Sequence, residues 1–309
     1  MLSRRDYRTI GAVLSQHIGC PEAVPMMPMK PRQNVGGFTY RGAVLDEAPW
    51  PVPGNAAPVG WPQLRAVARA QEPLLSAPPA TSSLLCSVCR GPCGRRSARC
   101  YQCDLHLQCA PGSLADVVVP VAFAIKGGSH ARCLWQYKSV HLTAETVGRA
   151  ALTVRALLLV FLHDHGHCLW RAAGIPGPTH LAVVPTARGR PGTHPLRALI
   201  AEHLTWPWAE LRARPGGEQV RDLDPGRFRA AALPGARVLL IDDTWTTGSS
   251  AQSAAMALRS AGAGAVVTVV LGRHVGRAEA ERAGLGPAVM PFRQSSCAVH
   301  AYSAVGSGS

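Results

Sequence analysis

The strongest chemical signal in the 309-residue chain is a pair of adjacent carboxylates followed by a loop of threonine, serine and glycine. The apolar run Val238–Ile241 predicts a buried strand that ends at Asp242 and Asp243, and a helix is predicted from Ser250 to Ala261. In open α/β sheets, ligands bind beyond the carboxyl ends of the strands. Backbone N–H groups of such a loop, with the start of the helix, hold a phosphate. Two carboxylates beside a phosphate suit vicinal hydroxyls or a hydrated magnesium ion, so the motif predicts a site for a ribose 5-phosphate.

A second signal is the spacing of the cysteines between residues 86 and 109. Two C-x-x-C pairs, ten residues apart, offer the four sulfurs of a tetrahedral zinc site: Cys86, Cys89, Cys100 and Cys103. A closed four-sulfur set predicts a structural zinc ion rather than a catalytic one. Disulfides and free thiols are the alternatives, and Cys93, His106 or Cys109 could replace one member of the set. Weak binding of single-stranded nucleic acid is an alternative role for this ribbon, although Tyr101 is its only aromatic residue for stacking.

The sequence after residue 112 alternates short β-branched runs with amphipathic helical runs. This alternation predicts an α/β fold, namely a mostly parallel sheet flanked by helices and preceded by a small zinc ribbon. Predicted strands cover residues 116–122, 181–185, 238–241 and 265–271, and the first could form a hairpin with 123–126. Predicted helices cover residues 143–162, 195–204 and 250–261.

We predict no metal site at two further groups of histidine and cysteine residues. The run 163–168 lies where the first predicted helix is expected to close, near Gly166, so its histidines are expected to serve that helix end. Cys297-x2-His300 is an isolated pair.

The thirteen residues 238–250, VLLIDDTWTTGSS, resemble the signature of the type I phosphoribosyltransferases, which bind phosphoribosyl pyrophosphate with Mg²⁺. The resemblance implies that Asp242 and Asp243 are the catalytic pair that holds the ribose hydroxyls. It also implies a 5-phosphate loop of Thr244, Thr246, Thr247, Gly248, Ser249 and Ser250. Trp245 departs from the smaller residue common in the family. The alternative is an ordinary strand, turn and helix whose acidity is accidental.

Other segments match further parts of that family. The pyrophosphate loop would be Thr186, Ala187, Arg188, Gly189 and Arg190, although a solvated basic loop is the alternative. Within residues 212–229, Gln219, Leu223 and Arg227 match a mobile loop that carries an R…Q…L…R pattern; the alternative is a surface linker, and the usual asparagine after the last arginine is missing. Tyr137-Lys138 resembles a short element of the family's hood, with a solvated lysine as the alternative.

The cysteine ribbon placed before such a domain resembles the ComF-type competence proteins and their amidophosphoribosyltransferase-like relatives, over residues 86–275. The resemblance implies a transferase that moves a phosphoribosyl group to or from a nitrogen acceptor, with phosphoribosyl pyrophosphate or a nucleotide as its partner. The alternative is a non-catalytic accessory protein, in DNA uptake or nucleotide sensing, that keeps the site. The acceptor lies in the hood, which the motifs do not identify.

Composition and the resemblance together predict four parts: a Pro-rich, disordered extension (1–85), the zinc ribbon (86–112), the domain that resembles a phosphoribosyltransferase (113–275) and a C-terminal extension (276–309). No window of eighteen uninterrupted apolar residues occurs, and no apolar segment follows the N-terminal arginines, so we expect a cytoplasmic protein without a membrane partner. The net charge of +14 is weak evidence for anionic partners, because the basic residues are scattered and almost all are arginines.

Overall fold

The computed structural model describes residues 60–79, 82–94, 97–186, 193–214, 222–294 and 297–299. Its strands are β1 (Val117–Ile125), β2 (His180–Val183), β3 (Leu211–Ala213), β4 (Phe228–Ala230), β5 (Arg237–Trp245) and β6 (Ala265–Val275). Its helices are α1 (Trp61–Gln71), α2 (Tyr101–Cys109), α3 (Ser129–Gln136), α4 (Ala144–Ala172), α5 (Pro195–Ile200), α6 (Ser249–Ser260) and α7 (Arg277–Ala283).

Four strands form a parallel sheet in the order β1-β6-β5-β2, and β3 pairs with β4 in a separate antiparallel ribbon. Helices cover both faces of the parallel sheet, as the alternation in the sequence predicts. The predicted fold class, a mostly parallel sheet flanked by helices, is therefore confirmed.

The two faces of the sheet bury different partners because alternate strand residues point to opposite sides. Leu239 and Ile241 of β5 pack with the long helix α4 and with α1. Val238 and Leu240 of the same strand pack with α6 and with the cysteines of the ribbon. The ribbon therefore lies against the α6 face of the sheet and shares its core.

Strand β1 differs from its prediction, because the hairpin between residues 116–122 and 123–126 is wrong. The segment is one continuous strand that pairs in parallel with β6 along its length. Pro120 lies in its middle, but β1 is at the edge of the sheet, where the missing N–H of a proline costs no ladder hydrogen bond.

The long helix α4 is longer than predicted, and the expectation that it closes near Gly166, within residues 163–168, is wrong. The helix passes through Gly166, because the next residues, Cys168, Leu169 and Trp170, continue its buried face. It ends at Ala172, and Gly174 follows with a left-handed φ of 65°. Among the described residues, α4 is also the helix long and apolar enough to cross a membrane, and half of its most apolar stretch is buried within the protein, as in a core helix.

Residues 60–79 are part of the core, so the disorder predicted for residues 1–85 does not extend to them. Helix α1 begins with Pro62 in its first turn and buries Leu64 and Ala68, four residues apart, against α4. The Arg65 guanidinium binds Asp164 of α4, with an N···O distance of 2.6 Å. Residues 1–59, 80 and 81 of the predicted extension lie outside the described residues.

Candidate functional site

The acidic pair lies within β5 rather than after it. The strand continues past Ile241 through Trp245 and stays paired with β6, with Asp242 opposite Val270 and Thr244 opposite Gly272. On the other side, β2 ends at Val183, opposite Ile241. The two aspartates therefore lie immediately beyond the carboxyl end of β2, at the edge where parallel sheets bind ligands.

Asp243 receives two donors from the segment that follows α3. The Tyr137 hydroxyl and the Lys138 ammonium group both lie 2.5 Å from Asp243 Oδ2. Asp243 is 8% exposed, so this charged group is satisfied inside the protein. The predicted hood element and the predicted ribose pair are thus in direct contact, and Lys138 does not have the solvated role that was its alternative.

Asp242 has a different electrostatic environment. Burial, reinforced by the neighbouring charge of Asp243, raises the pKa of Asp242 to about 7, although Lys138 acts in the opposite direction. One carboxylate oxygen of Asp242 accepts the backbone N–H of Asp243 at 2.8 Å. The pair therefore combines an aspartate matched to a lysine with an aspartate that holds a proton near neutral pH.

The loop after the pair turns into α6 at Gly248, which has a left-handed φ of 85°. A Cβ atom at this position would lie 2.1 Å from the Trp245 ring, so glycine is required both for the turn and for the contact. The Trp245 ring is 1% exposed and packs in the core with the ribbon, so it does not fill the space above the loop. The large Trp245 side chain, which departs from the family pattern, is therefore accommodated in the core of the protein.

The start of α6 has the features of an anion site. The N-cap residue Gly248 has no side chain to cap the helix, and the first N–H of the helix, that of Ser249, donates to the Thr247 hydroxyl at 3.4 Å. The Thr247 and Ser249 hydroxyl oxygens lie 2.9 Å apart beside them. The predicted phosphate loop, Thr244 to Ser250, is thus continuous with the acidic pair and with a helix N-terminus.

One residue of the predicted mobile loop reaches this loop. Arg227, which is 5% exposed, donates to the Ser250 hydroxyl at 3.1 Å. The ends of the predicted loop, residues 211–213 and 228–230, are the paired strands β3 and β4. Thr186 follows β2 and is half-buried, whereas Gln219, Ala187, Arg188, Gly189 and Arg190 lie outside the described residues.

The four predicted zinc ligands converge. The sulfurs of Cys86, Cys89, Cys100 and Cys103 all lie within 4.8 Å of one another, and the Sγ atoms of Cys89 and Cys100 are 3.7 Å apart. Hydrogen bonds from Cys100 and Cys103 lower the pKa of Cys89 to about 7. The donor set is closed and largely buried, and it fits a structural zinc ion.

The alternative ligands Cys93 and His106 have other partners. The Cys93 thiol donates to the Ser97 carbonyl, and the His106 ring contacts the Gln102 side chain. The second cysteine pair, Cys100 and Cys103, lies at the start of helix α2. This half of the ribbon is therefore helical rather than a β-knuckle.

A residue outside the predicted motifs joins the cysteine cluster to the predicted phosphate loop. Arg273 of β6 is 9% exposed; its Nε donates to Cys89 Sγ at 3.4 Å and its Nη1 to the Thr246 carbonyl at 3.1 Å. Burial opposes the charge of Arg273, but Cys89 and the neighbouring sulfurs outweigh it and raise the pKa of the guanidinium. The available signal was an arginine inside the apolar run Ala265–Val275, where a charge needs a buried partner.

A separate cavity of about 600 Å³ opens beside the end of β1. Its lining includes Phe123, Lys126, His130 and Arg277, but neither aspartate of the acidic pair. It is therefore distinct from the candidate phosphoribosyl site.

No family model and no curated protein matches the sequence. Three solved structures that match are phosphoribosyltransferases. The orotate phosphoribosyltransferase from Aeropyrum pernix is 22% identical, with 47% of this chain and 84% of that chain covered and a TM-score of 0.29. The purine phosphoribosyltransferase from Pyrococcus horikoshii Ot3 is 17% identical, with 44% and 90% covered and a TM-score of 0.25. The Mycobacterium tuberculosis H37Rv orotate phosphoribosyltransferase, in complex with 5-phospho-alpha-D-ribosyl 1-diphosphate (PRPP), is 19% identical, with 53% and 84% covered and a TM-score of 0.27. At these values the similarity carries no argument about activity, which depends on the residues of the site.

Proposed function

We propose that the chain binds phosphoribosyl pyrophosphate with Mg²⁺ and transfers its phosphoribosyl group to or from a nitrogen acceptor. The observation that carries this proposal is the continuity of three features: the acidic pair of β5, the hydroxyl-rich loop and the N-terminus of α6. A phosphate at the helix start places the attached ribose within reach of two carboxylates.

Each residue has a role that follows from its position. Asp242 and Asp243 accept hydrogen bonds from the two ribose hydroxyls, and the loop from Thr244 to Ser250 holds the 5-phosphate. The ammonium group of Lys138 lies 2.5 Å from Asp243. When the ribose binds Asp243, this ammonium group can bind the pyrophosphate instead. The proposed pyrophosphate loop consists of Thr186, Ala187, Arg188, Gly189 and Arg190. Gln219 and Arg227 belong to the proposed mobile loop.

The carboxylates also suit a magnesium ion, because Mg²⁺ prefers carboxylate and phosphate oxygens. Bound there, the ion would neutralise charge on the pyrophosphate leaving group. The chain's own contribution is to fix the ribose between Asp242 and Asp243, where negative charge favours the positive character that develops at the anomeric carbon. In this proposal no side chain acts as a nucleophile.

The second candidate is a ComF-like accessory protein that binds the same ligand without turnover. The zinc ribbon packed against the phosphate-loop side of the sheet supports this candidate, because it matches the domain order of that group. In this reading the ribbon is a structural part of a nucleotide-sensing or DNA-uptake protein.

Turnover distinguishes the two candidates. Release of pyrophosphate from phosphoribosyl pyrophosphate would be measured with Mg²⁺ and a panel of purine, pyrimidine and amine acceptors. The transferase proposal expects release with at least one acceptor, and loss of that release in Asp242→Asn/Asp243→Asn. Tight binding without release for every acceptor would instead support the accessory role.

A further inference from the structure

A second cluster of metal-ligating side chains lies far from the cysteine ribbon in the sequence. His165 and Cys168 are three residues apart on α4, which places them on one face of the helix, and Cys297 comes from the C-terminal segment. Their ligand atoms all lie within 4.8 Å of one another, and the three residues are 4%, 6% and 7% exposed. Sequence spacing does not join them, because a helix that closes near Gly166 would exclude Cys168.

The protonation of His165 suits a ligand. Its Nε2 lies 2.7 Å from the Gln294 carbonyl oxygen, which can only accept, so Nε2 carries the proton and Nδ1 keeps the lone pair. A histidine that donates its other ring N–H to a backbone carbonyl is the usual arrangement around a protein-bound metal. The same carbonyl therefore fixes both the tautomer and the orientation of the ring.

The charge of the cluster matches one divalent ion. Two thiolates and a neutral imidazole around Zn²⁺ give a site with no net charge, which suits a buried position. The four-cysteine site differs, because four thiolates leave a negative charge that the buried Arg273 offsets. Sulfur and imidazole ligands together favour zinc over magnesium or calcium.

Tetrahedral zinc bonds of about 2.0–2.3 Å keep ligand atoms about 3.3–3.8 Å apart, so the cluster needs to contract by about 1 Å. Zinc takes four ligands in structural sites. The His167 ring nitrogen Nε2 lies 3.3 Å from Cys168 Sγ, which places one further histidine beside the cluster.

We propose that His165, Cys168 and Cys297 bind a second, structural zinc ion that fastens the C-terminal segment to α4. The segment already meets the N-terminal part of the described chain: the Gln294 backbone N–H donates to Glu72 at 3.0 Å, and its side chain donates to the Arg65 carbonyl at 3.0 Å. The ion would lock a junction between α1, α4 and the C-terminal segment.

The test is the zinc content of tag-free, full-length protein purified without oxidant. The parent is expected to hold two zinc ions per chain, and Cys168→Ser/Cys297→Ser one. Cys133→Ser is the matched control, because this half-buried cysteine lies outside both clusters and should leave both ions in place. Cys168→His, which replaces one ligand with another, is expected to retain the second ion and covers the case in which the serine variant does not fold.

Cobalt substitution gives an independent readout. The sulfur-to-cobalt charge-transfer absorption should fall by about a third in Cys168→Ser/Cys297→Ser, because six sulfur ligands become four. One zinc ion in the parent protein would overturn the proposal. A disulfide between Cys168 and Cys297 in the anaerobically purified parent would overturn it too, as would a serine variant that keeps two ions.

Discussion

At the scale of single residues, the candidate site depends on two aspartates with different surroundings. Asp243 is matched by Tyr137 and Lys138, whereas burial holds the pKa of Asp242 near 7. A ligand that needs both carboxylates ionised must therefore displace a proton from Asp242 at neutral pH or below. The two residues are adjacent in the sequence, but only the structure distinguishes their roles.

Asp242→Asn is expected to stabilise the ligand-free protein at high pH. The pKa of Asp242 is raised from an ordinary 3.8 to about 7, so the folded state binds more protons than the unfolded state in that interval. The parent therefore loses stability as pH rises from about 4 to about 7, and the loss is complete above that. Asparagine cannot ionise, so the free energy of unfolding of the variant should exceed that of the parent by up to about 4 kcal/mol at pH 8.

Thermal and urea melts without ligand, from pH 5 to pH 8, check this prediction. The gap between the variant and the parent should narrow steadily towards pH 5. A gap that is independent of pH, or a variant that is less stable at pH 8, would show that Asp242 is not desolvated in the free protein.

Lys138→Gln is expected to move the pH dependence of ligand binding. Binding of phosphoribosyl pyrophosphate with Mg²⁺ should strengthen as pH rises, and below the pKa of Asp242 it should weaken by about tenfold per pH unit for one displaced proton. Lys138 lowers the pKa of Asp242, so its removal should shift the midpoint upward. Lys126→Gln, an exposed lysine at the end of β1, is the control and should leave the midpoint unchanged.

Calorimetric titrations from pH 5.5 to pH 8.5 give both midpoints. Equal midpoints in the parent and Lys138→Gln would contradict the electrostatic coupling between Lys138 and the acidic pair.

At the scale of elements, Arg273 of β6 connects the cysteine cluster with the predicted phosphate loop. Zinc bound by the four thiolates would give Arg273 a negative partner, and the guanidinium also donates to the Trp245 and Thr246 carbonyls. Removing zinc lets the sulfurs take up protons and leaves a buried cation with weaker partners. We therefore expect chelation to loosen the phosphate loop as well as the ribbon.

Hydrogen exchange of the full-length protein, with and without a chelator, measures this effect. Amide protection in residues 245–249 should fall along with that in residues 86–103. Arg273→Met should reproduce the change in the loop with zinc still bound, at a cost to stability of roughly 3 kcal/mol. Unchanged protection of the loop after complete zinc loss would contradict the connection.

The motifs that could be predicted from the sequence were those written in consecutive residues. All residues of the run Val238–Ser250 and of the two C-x-x-C pairs lie within short stretches of sequence. Their spacing therefore predicts the acidic sheet edge, the loop after it and the four-sulfur cluster. The missing parts arise from tertiary contacts. Arg273 carries no motif, and His165, Cys168 and Cys297 come together because α4 continues past Gly166, where packing outweighs the low helix propensity of glycine.

At the scale of the whole molecule, the described chain from Gly60 onwards is expected to suffice for folding and ligand binding. The proline-dense residues before it contain no cluster of site residues in the sequence, whereas α1 buries Leu64 and Ala68 against α4. A chain that starts at Gly60 should match the parent in melting temperature and affinity. A chain that starts at Ser82 loses α1 and should be destabilised by several kcal/mol, since each buried leucine alone contributes about 2–3 kcal/mol.

Both truncations would be compared by thermal melts and by titration with phosphoribosyl pyrophosphate and Mg²⁺. Loss of binding in the chain from Gly60, with its melting temperature unchanged, would place part of the site in the removed residues.

The central claim is that the acidic pair of β5 binds a phosphoribosyl ligand, and calorimetric titration of Asp242→Asn/Asp243→Asn with phosphoribosyl pyrophosphate and Mg²⁺ tests it most directly. Glu279→Gln, which removes an exposed carboxylate on α7, is the matched control. Each lost charged hydrogen bond is worth about 1.5–3 kcal/mol, so the loss of two should weaken binding by the double variant more than about a hundredfold at pH 8 while the protein remains folded. Glu279→Gln should bind like the parent. Equal affinity in a folded double variant, or no binding by the parent itself, would contradict the account.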